Sequence, residues 1–472
     1  MVQLNMPLTK EQLDFVFGKD SSGSTPEERA RTSKIKFVRS QVQIAPVSKE
    51  ATGRIFSAHE IYSTFGWEPM YTCALEGSAR IISSHSEPAA SLKKGREELG
   101  LTAKDLAQRI GCTVEEIEDM ETEGVRNPYK LIERFGSAIA LNEKLLGAQS
   151  NPGRDTALGV RLRELSTGGD MSSFGPSTVM SLAEAAWIIS NQKNLESNFH
   201  FEEFAFPKHN PNFSYPSYET GYVLAEKTRA LLSLRHDEPI KSVRELIEYK
   251  LNIPLIQDKL NQRFAGATIS NGNNRGIVIN EVGLNKNVWV RRMTLCHELG
   301  HLLWDPEEKL EKVKVDDYGD LEEDIRSSKR DPAEIRANAF AISFLAPRSA
   351  VLEIHDSCSD PKEALCRLMV TFGISGTAAK HHYANITGDK SVLRVSPYEL
   401  PEPDGGWYGA ENLAVDYFPI KSTPINRRGR FSWLVAKAAT ENLLSIDTAA
   451  FYLKCTPSDA ESSFQKILQL YN

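Results

Sequence analysis

The sequence predicts a multidomain, mainly α-helical protein with one α+β segment in its second half. At about 100–200 residues per domain, 472 residues are too many for a single core. Residues 91–147 carry helical patterning throughout, in short pieces broken by Gly100, Gly111 and Gly124. From about residue 243 the pattern changes: the helical VRELIEYK is followed by the β-like LNIPLIQ, ATIS and GIVIN, with the Asn/Gly turn NGNNRG before the last.

Composition narrows the class. Hydrophobic residues make up 40% and charged residues 25%, ordinary for soluble globular chains, which excludes a wholly disordered or low-complexity protein. The net charge of −7 gives no whole-chain reason to expect nucleic acid, so any such contact needs a local patch. The start, MVQLNMPLTKEQLDFVFGKD, is charged throughout and does not read as a secretory signal. No stretch approaches the roughly 18 apolar residues of a membrane span. The six cysteines are scattered without a C-x-x-C pair and read as thiols of a cytoplasmic protein.

In chain order, residues 1–86 mix short apolar runs with a turn-rich stretch and form an N-terminal extension without an assignable role. Residues 87–147 are the first helical domain. Residues 148–215 are a linker and helical connector, Gly/Ser/Pro-rich to about residue 180 and then helical at SLAEAAWIIS. Residues 216–386 hold the α+β pattern. Within them, Asp305 to Asp331 contains eleven acidic residues against six basic ones and reads as an exposed insertion. Residues 387–472 close the chain as a mainly helical domain, with Arg427, Arg428 and Arg430 read as a solvated loop.

The most specific pattern is His297-Glu298-Leu299-Gly300-His301 within VRRMTLCHELGHLLW. On a helix, positions i and i+4 share a face, so two imidazoles can converge on one ion. Glu298, one residue on, can reach a water beside that ion without ligating it. Leu295, Leu299, Leu302 and Leu303 supply a face for burial. A catalytic site of this kind needs a third protein ligand and an open position. Glu334, at the start of the helix PAEIRANAFAISFLA, shares a face with Ala337, Asn338 and Ala341, small residues suited to close approach near Gly300. The carboxylates of the acidic insertion are alternatives, but a ligand needs a rigid platform, which favours Glu334. Asn338 is a candidate partner of a ligand imidazole. Cys296 points about 100° away from His297 around the helix and reads as a packing thiol.

RRMTLCHELGHLL followed by E-x-x-A-N-x-F-A-x-x-x-L-x-P (Glu334 to Pro347) resembles the ImmA/IrrE family of metallopeptidases, and the similarity extends over about residues 216–386. The resemblance implies a zincin-like metallopeptidase core, with His297, His301 and Glu334 as metal ligands and Glu298 as the base. It further implies zinc as cofactor, with manganese tolerated by the carboxylate, and Gly276, Ile277, Val278, Ile279 and Asn280 as a substrate-binding edge strand. The implied substrate is a protein partner, a transcriptional repressor often of XRE type, cut in a stress, prophage or defence response. His381, His382 and Tyr383 follow this core and are candidate oxyanion-stabilising groups, with structural roles favoured. Lys362–Asn385 resembles the family's downstream helices.

Residues 92–141 resemble an XRE-type (lambda-repressor-like) helix-turn-helix, an all-α domain upstream of the peptidase-like core. Its core is expected from Leu101, Leu106, Ala107, Ile110, Ile117, Met120 and Leu131. The helix that would enter a DNA groove, Thr113 to Glu121, holds five carboxylates and no basic residue, and residues 91–147 carry nine Lys+Arg against eleven Asp+Glu. Phosphates repel such a surface, so DNA binding is disfavoured and protein docking preferred. The chain therefore reads as an intracellular metalloendopeptidase. The alternative is a helix-turn-helix regulator with a sensory, non-cutting peptidase-like domain.

Overall fold

The computed structural model describes residues 8–48, 53–149, 175–201, 204–207, 216–271, 274–306, 310, 314–317, 331–412 and 417–471. The chain divides into two compact units, residues 1–200 with 414–472, and residues 201–413. These follow tertiary contacts, whereas the boundaries expected from the sequence follow turn-rich stretches.

The first unit opens with helices α1 (Lys10–Phe17) and α2 (Pro26–Thr32). Next come strands β1 (Lys36–Arg39), β2 (Gln43–Pro46) and β3 (Arg54–Ser57), helices α3 (Ala58–Phe65) and α4 (Glu68–Glu76), and the short strand β4 (Ala79–Arg80). The strands form one antiparallel sheet in the order β3-β1-β2-β4. This sheet was not legible in residues 1–86, because strands of two to four residues are too short to show a period of two. Helices α5 (Ala89–Glu98), α6 (Ala103–Ile110), α7 (Val114–Met120) and α8 (Tyr129–Ala138) follow. Thr102 with Asp105 and Thr113 with Glu116 form capping boxes that satisfy the first backbone N–H groups of α6 and α7. Gly111 ends α6 at φ 69°, a conformation that favours glycine. Leu101, Leu106, Ala107, Ile110, Ile117, Met120 and Leu131 are all buried. Arg96 closes the bundle with a two-pronged contact to Glu121 at 2.6 and 2.7 Å. The expected linker lies largely outside the described residues. Its end is corrected, because helix α9 (Pro176–Asn198) already starts at Pro176.

The second unit begins with α10 (Ser217–Leu231). Its sheet contains β5 (Leu255–Asp258), β6 (Phe264–Asn271), β7 (Asn274–Asn280) and β8 (Lys314–Asp317), in the order β5-β7-β6-β8. Strand β7 pairs parallel with β5 and antiparallel with β6. The expectation that Gly276–Asn280 is an edge strand is therefore corrected: both sides of its backbone are engaged within the sheet, and all five residues are buried. Of the acidic insertion, Lys314–Asp317 supplies an edge strand, and residues 318–330 lie outside the described residues. Helix α11 (Val288–Trp304) packs on β6 and β7 and against α12 (Pro332–Leu345). Gly221 of α10 allows α12 to approach closely, since a Cβ there would meet the Arg336 carbonyl oxygen at 2.4 Å. Helices α13 (Arg348–Ser357), α14 (Pro361–Phe372) and α15 (Gly376–Thr387) complete a small bundle.

Helix α11 is fixed by Arg292, which is fully buried. Its guanidinium donates to the carbonyls of Ile240 (2.6 Å), Gly373 (3.1 Å), Lys241 (3.2 Å) and Phe372 (3.3 Å), and to the carboxylate of buried Glu411. Glu411 in turn accepts from the backbone N–H groups of Val243 (2.8 Å) and Arg244 (3.1 Å). Gly373 is required twice over. It sits at φ 62°, and a Cβ would lie 2.8 Å from Arg292 Nε.

The chain returns to the first unit with α16 (Arg430–Thr440), α17 (Ile446–Leu453) and α18 (Pro457–Gln469). Residues 387–472 are thus split between the two units. The N-terminal sheet takes these helices as partners: Ser57 Oγ donates to the Leu443 carbonyl at 2.9 Å, and Ser445 Oγ to that of Ile55 at 2.8 Å. The solvated reading of the Arg427 region is corrected. Arg427 and Arg430 are buried and pair with Glu184 (2.6 Å) and Glu196 (2.8 Å) of α9.

Removing Arg292 leaves a buried carboxylate and several carbonyls without their donor. Breaking a buried pair from one side typically costs about 3–5 kcal/mol. Arg292→Leu should lower the denaturant-unfolding stability of the second unit by about that much, and Arg292→Lys should recover only part, because an ammonium cannot fork to acceptors on opposite sides.

Candidate metal centre

Helix α11 carries His297, Glu298 and His301 inward; they are 0%, 0% and 2% exposed. Helix α12 brings Glu334 beside them. The two Nε2 atoms lie 3.1 Å apart, Glu334 Oε2 is 3.3 Å from His297 Nε2, and Glu334 Oε1 is 3.4 Å from His301 Nε2. These three residues form the one group among the described residues whose ligand atoms could hold a metal ion together.

The hydrogen bonds show that the set suits a cation. Nδ1 of His297 meets Asn338 Oδ1 at 2.9 Å, and Nδ1 of His301 meets Asp305 Oδ2 at 2.9 Å. Both partners are acceptors, so each Nδ1 carries the proton and each Nε2 presents a lone pair. Two lone pairs and a carboxylate turned toward one point repel unless a cation sits between them. The spacing agrees: ligand atoms about 2.0–2.1 Å from a tetrahedral ion are roughly 3.3 Å from each other. The residues therefore fit a divalent metal.

Asp305 was not anticipated. It also pairs with Arg336 of α12, so one carboxylate orients His301 and ties the two helices together. The signal was available, since Asp305 stands four residues after His301 and shares its helical face. Asn338, singled out from the sequence, does reach a ligand imidazole.

Glu298 faces the sheet. Thr268 Oγ1 of β6 donates to Glu298 Oε2 at 2.6 Å. Gly266 on the same strand leaves room for the carboxylate, because a Cβ there would sit 2.8 Å from Glu298 Oε1. Neither residue was legible as part of the site, since a lone Thr and a lone Gly in a strand carry no spacing signal.

Other candidates fall elsewhere. Asn280 is fully buried, and its side chain binds the Phe264 carbonyl (2.7 Å), the Asn261 carbonyl (2.9 Å) and the Leu260 N–H (3.0 Å), which makes it a pin for the turn before β6. His382 is buried, its Nε2–H donates to the Ala346 carbonyl at 2.8 Å, and burial lowers its pKa to about 4. Tyr383 hydrogen-bonds His355 at 2.6 Å. Cys296 is buried, and burial pushes its thiol pKa up, as suits a packing residue.

The groups behind metal-binding histidines typically matter about 10–100-fold in affinity. Asp305→Asn should weaken zinc binding by about that factor while leaving the fold intact, as read by competition titration with a chromogenic chelator. Unchanged affinity would show that Asp305 does not tune the site.

Residues 261–383, which contain all four residues of the H-E-x-x-H plus Glu set, match the Peptidase_M78 family model, described as the IrrE N-terminal-like domain. No curated protein matches the chain at a significant level. The match covers the β6–β7 hairpin, helices α11 and α12 and most of the bundle after them, and it points to a metallopeptidase.

Proposed function

We propose that residues 216–386 form a metal-dependent endopeptidase that cleaves a protein partner, a transcriptional repressor of XRE type, within a stress, prophage or defence response. The observation that carries the chemistry is the convergence of two Nε2 lone pairs and Glu334, with Glu298 beside them and not ligating. His297, His301 and Glu334 would hold zinc, or manganese. When bound, the ion acts as a Lewis acid that polarises the scissile carbonyl and activates the attacking water. Glu298 takes the proton from that water and returns it to the leaving amine nitrogen. Thr268 holds one oxygen of Glu298 in place. Asn338 and Asp305 keep both imidazoles in the tautomer whose Nε2 is a ligand.

A peptide held extended needs a free strand edge. Among the described residues the sheet's edges are β5 and β8, and β8 adjoins β6, the strand that faces Glu298.

Helix α7 supports protein capture over DNA binding. Glu115, Glu116, Glu118 and Asp119 are exposed. Its outer face is acidic and repels phosphates, while a repressor's basic DNA-reading surface would complement it.

Glu298→Gln should abolish cleavage of a repressor encoded beside this chain while the metal content stays at wild-type level, because the base is lost and all three ligands remain. Retained proteolysis would place the activity elsewhere. Reversing Glu115, Glu116 and Glu118 to Lys should slow cleavage of the same repressor without altering metal content. A specific operator footprint by the unmodified protein at physiological salt would favour the regulator reading instead.

A further inference from the structure

A cavity of about 330 Å³ lies within the first unit, walled by α6, α8, α9 and α17. That is within the size range of small-molecule sites, about 300–1,000 Å³. Arg109, Arg134 and Lys454 line it, with Glu184 as the one carboxylate among the described lining residues. Glu184 Oε1 takes Lys454 Nζ at 2.6 Å and Arg427 at 2.6 and 3.0 Å, and its Oε2 takes Arg109 at 2.7 Å. Three cations thus share a single carboxylate, and Arg134 adds a fourth. Arg427 stands behind the lining, 1% exposed and with its guanidinium over the Trp187 ring at 4.3 Å.

The surplus leaves its mark on the groups themselves. Burial alone would raise the Glu184 carboxyl, but Arg427, Lys454 and Arg109 together hold it well below the usual range. The Lys454 side chain is 44% exposed, and desolvation of its ammonium, then the neighbouring Arg427, lower its pKa from the ordinary value. Lys454 also occupies the left-handed C-cap of α17 at φ 52°, a position where glycine is the usual choice. The strained position is held by a residue whose side chain reaches the cavity. Ile110 and Phe451 provide an apolar wall beside the charges.

We propose that this cavity binds a small organic phosphomonoester, which would join α6 and α8 to α9 and α17. Such an anion carries nearly two negative charges at neutral pH, closer to the surplus than the single charge of a carboxylate. Its organic group would lie on Phe451, and arginines on two different helices would supply donors.

The test uses the full chain, with phenyl phosphate as probe and inorganic phosphate, benzoate and chloride compared at equal ionic strength. Calorimetric titration and thermal unfolding should show saturable binding and a rise in Tm with phenyl phosphate, weaker with phosphate and weakest with benzoate. Lys454→Gln should weaken the probe by about tenfold, the loss of one charged contact. Cys455→Glu, which puts a carboxylate into the cavity, should fold and abolish the response. No saturable binding beyond chloride would overturn the proposal, as would a response unchanged in whichever of the two variants folds. Benzoate binding as tightly as phenyl phosphate would overturn the assignment to phosphate.

Discussion

The second unit depends on where one guanidinium is buried. Arg292 lies five residues before His297 on the same helix, and it satisfies carbonyls from the segment before the sheet and from the turn between α14 and α15. A helix this apolar could rotate by a residue and still bury its leucines; the hydrophobic effect is not directional. A buried charge with five acceptors is directional, because any rotation strands it and its partner Glu411. The price of burying the pair is desolvation, and the return is a fixed register for every inward-facing residue on α11.

With the register set, the site is a problem in electrostatics. Two Nε2 atoms 3.1 Å apart beside a carboxylate form a donor set that suits a cation. Asn338 and Asp305 hold each ring by its other nitrogen, and Arg336 neutralises Asp305 from α12. The surrounding hydrogen bonds therefore fix the orientation of both rings. Glu298 is fixed in the same way: Gly266 makes the space and Thr268 holds one carboxylate oxygen.

What the sequence disclosed follows from the range of its signals. His297, His301 and Glu298 are within five residues of one another, and helical geometry alone brings them to one face. Glu334 was legible because a second helix with a small-residue face had to meet the first. The group that could hold a metal ion consists of His297, His301 and Glu334, the three residues expected. The edge placement of Gly276–Asn280 failed because a run of buried β-branched residues marks a strand but not its neighbours, and its second neighbour, β5, lies upstream across a parallel pairing. Asp305, Thr268 and Arg292 were missed as site residues for different reasons: the first was absorbed into an acidic stretch, and the others act through partners far away in sequence. In the first unit, glycine breaks and apolar spacing set out α5–α8, while the N-terminal sheet and its C-terminal partners rest on contacts hundreds of residues apart.

That long-range pairing constrains how the first unit is assembled. Helix α9 offers two buried carboxylates, Glu184 and Glu196, and the arginines that meet them, Arg427 and Arg430, come from beyond the second unit in the chain. The first unit therefore cannot complete its ion pairs until residues 201–413 have been made. An isolated N-terminal fragment would keep Arg109 beside Glu184 and Lys193 beside Glu196 but lose the arginines that complete these buried pairs, a costly state. Chain order therefore makes the buried pairs of α9 depend on residues that lie beyond 201–413 in the sequence.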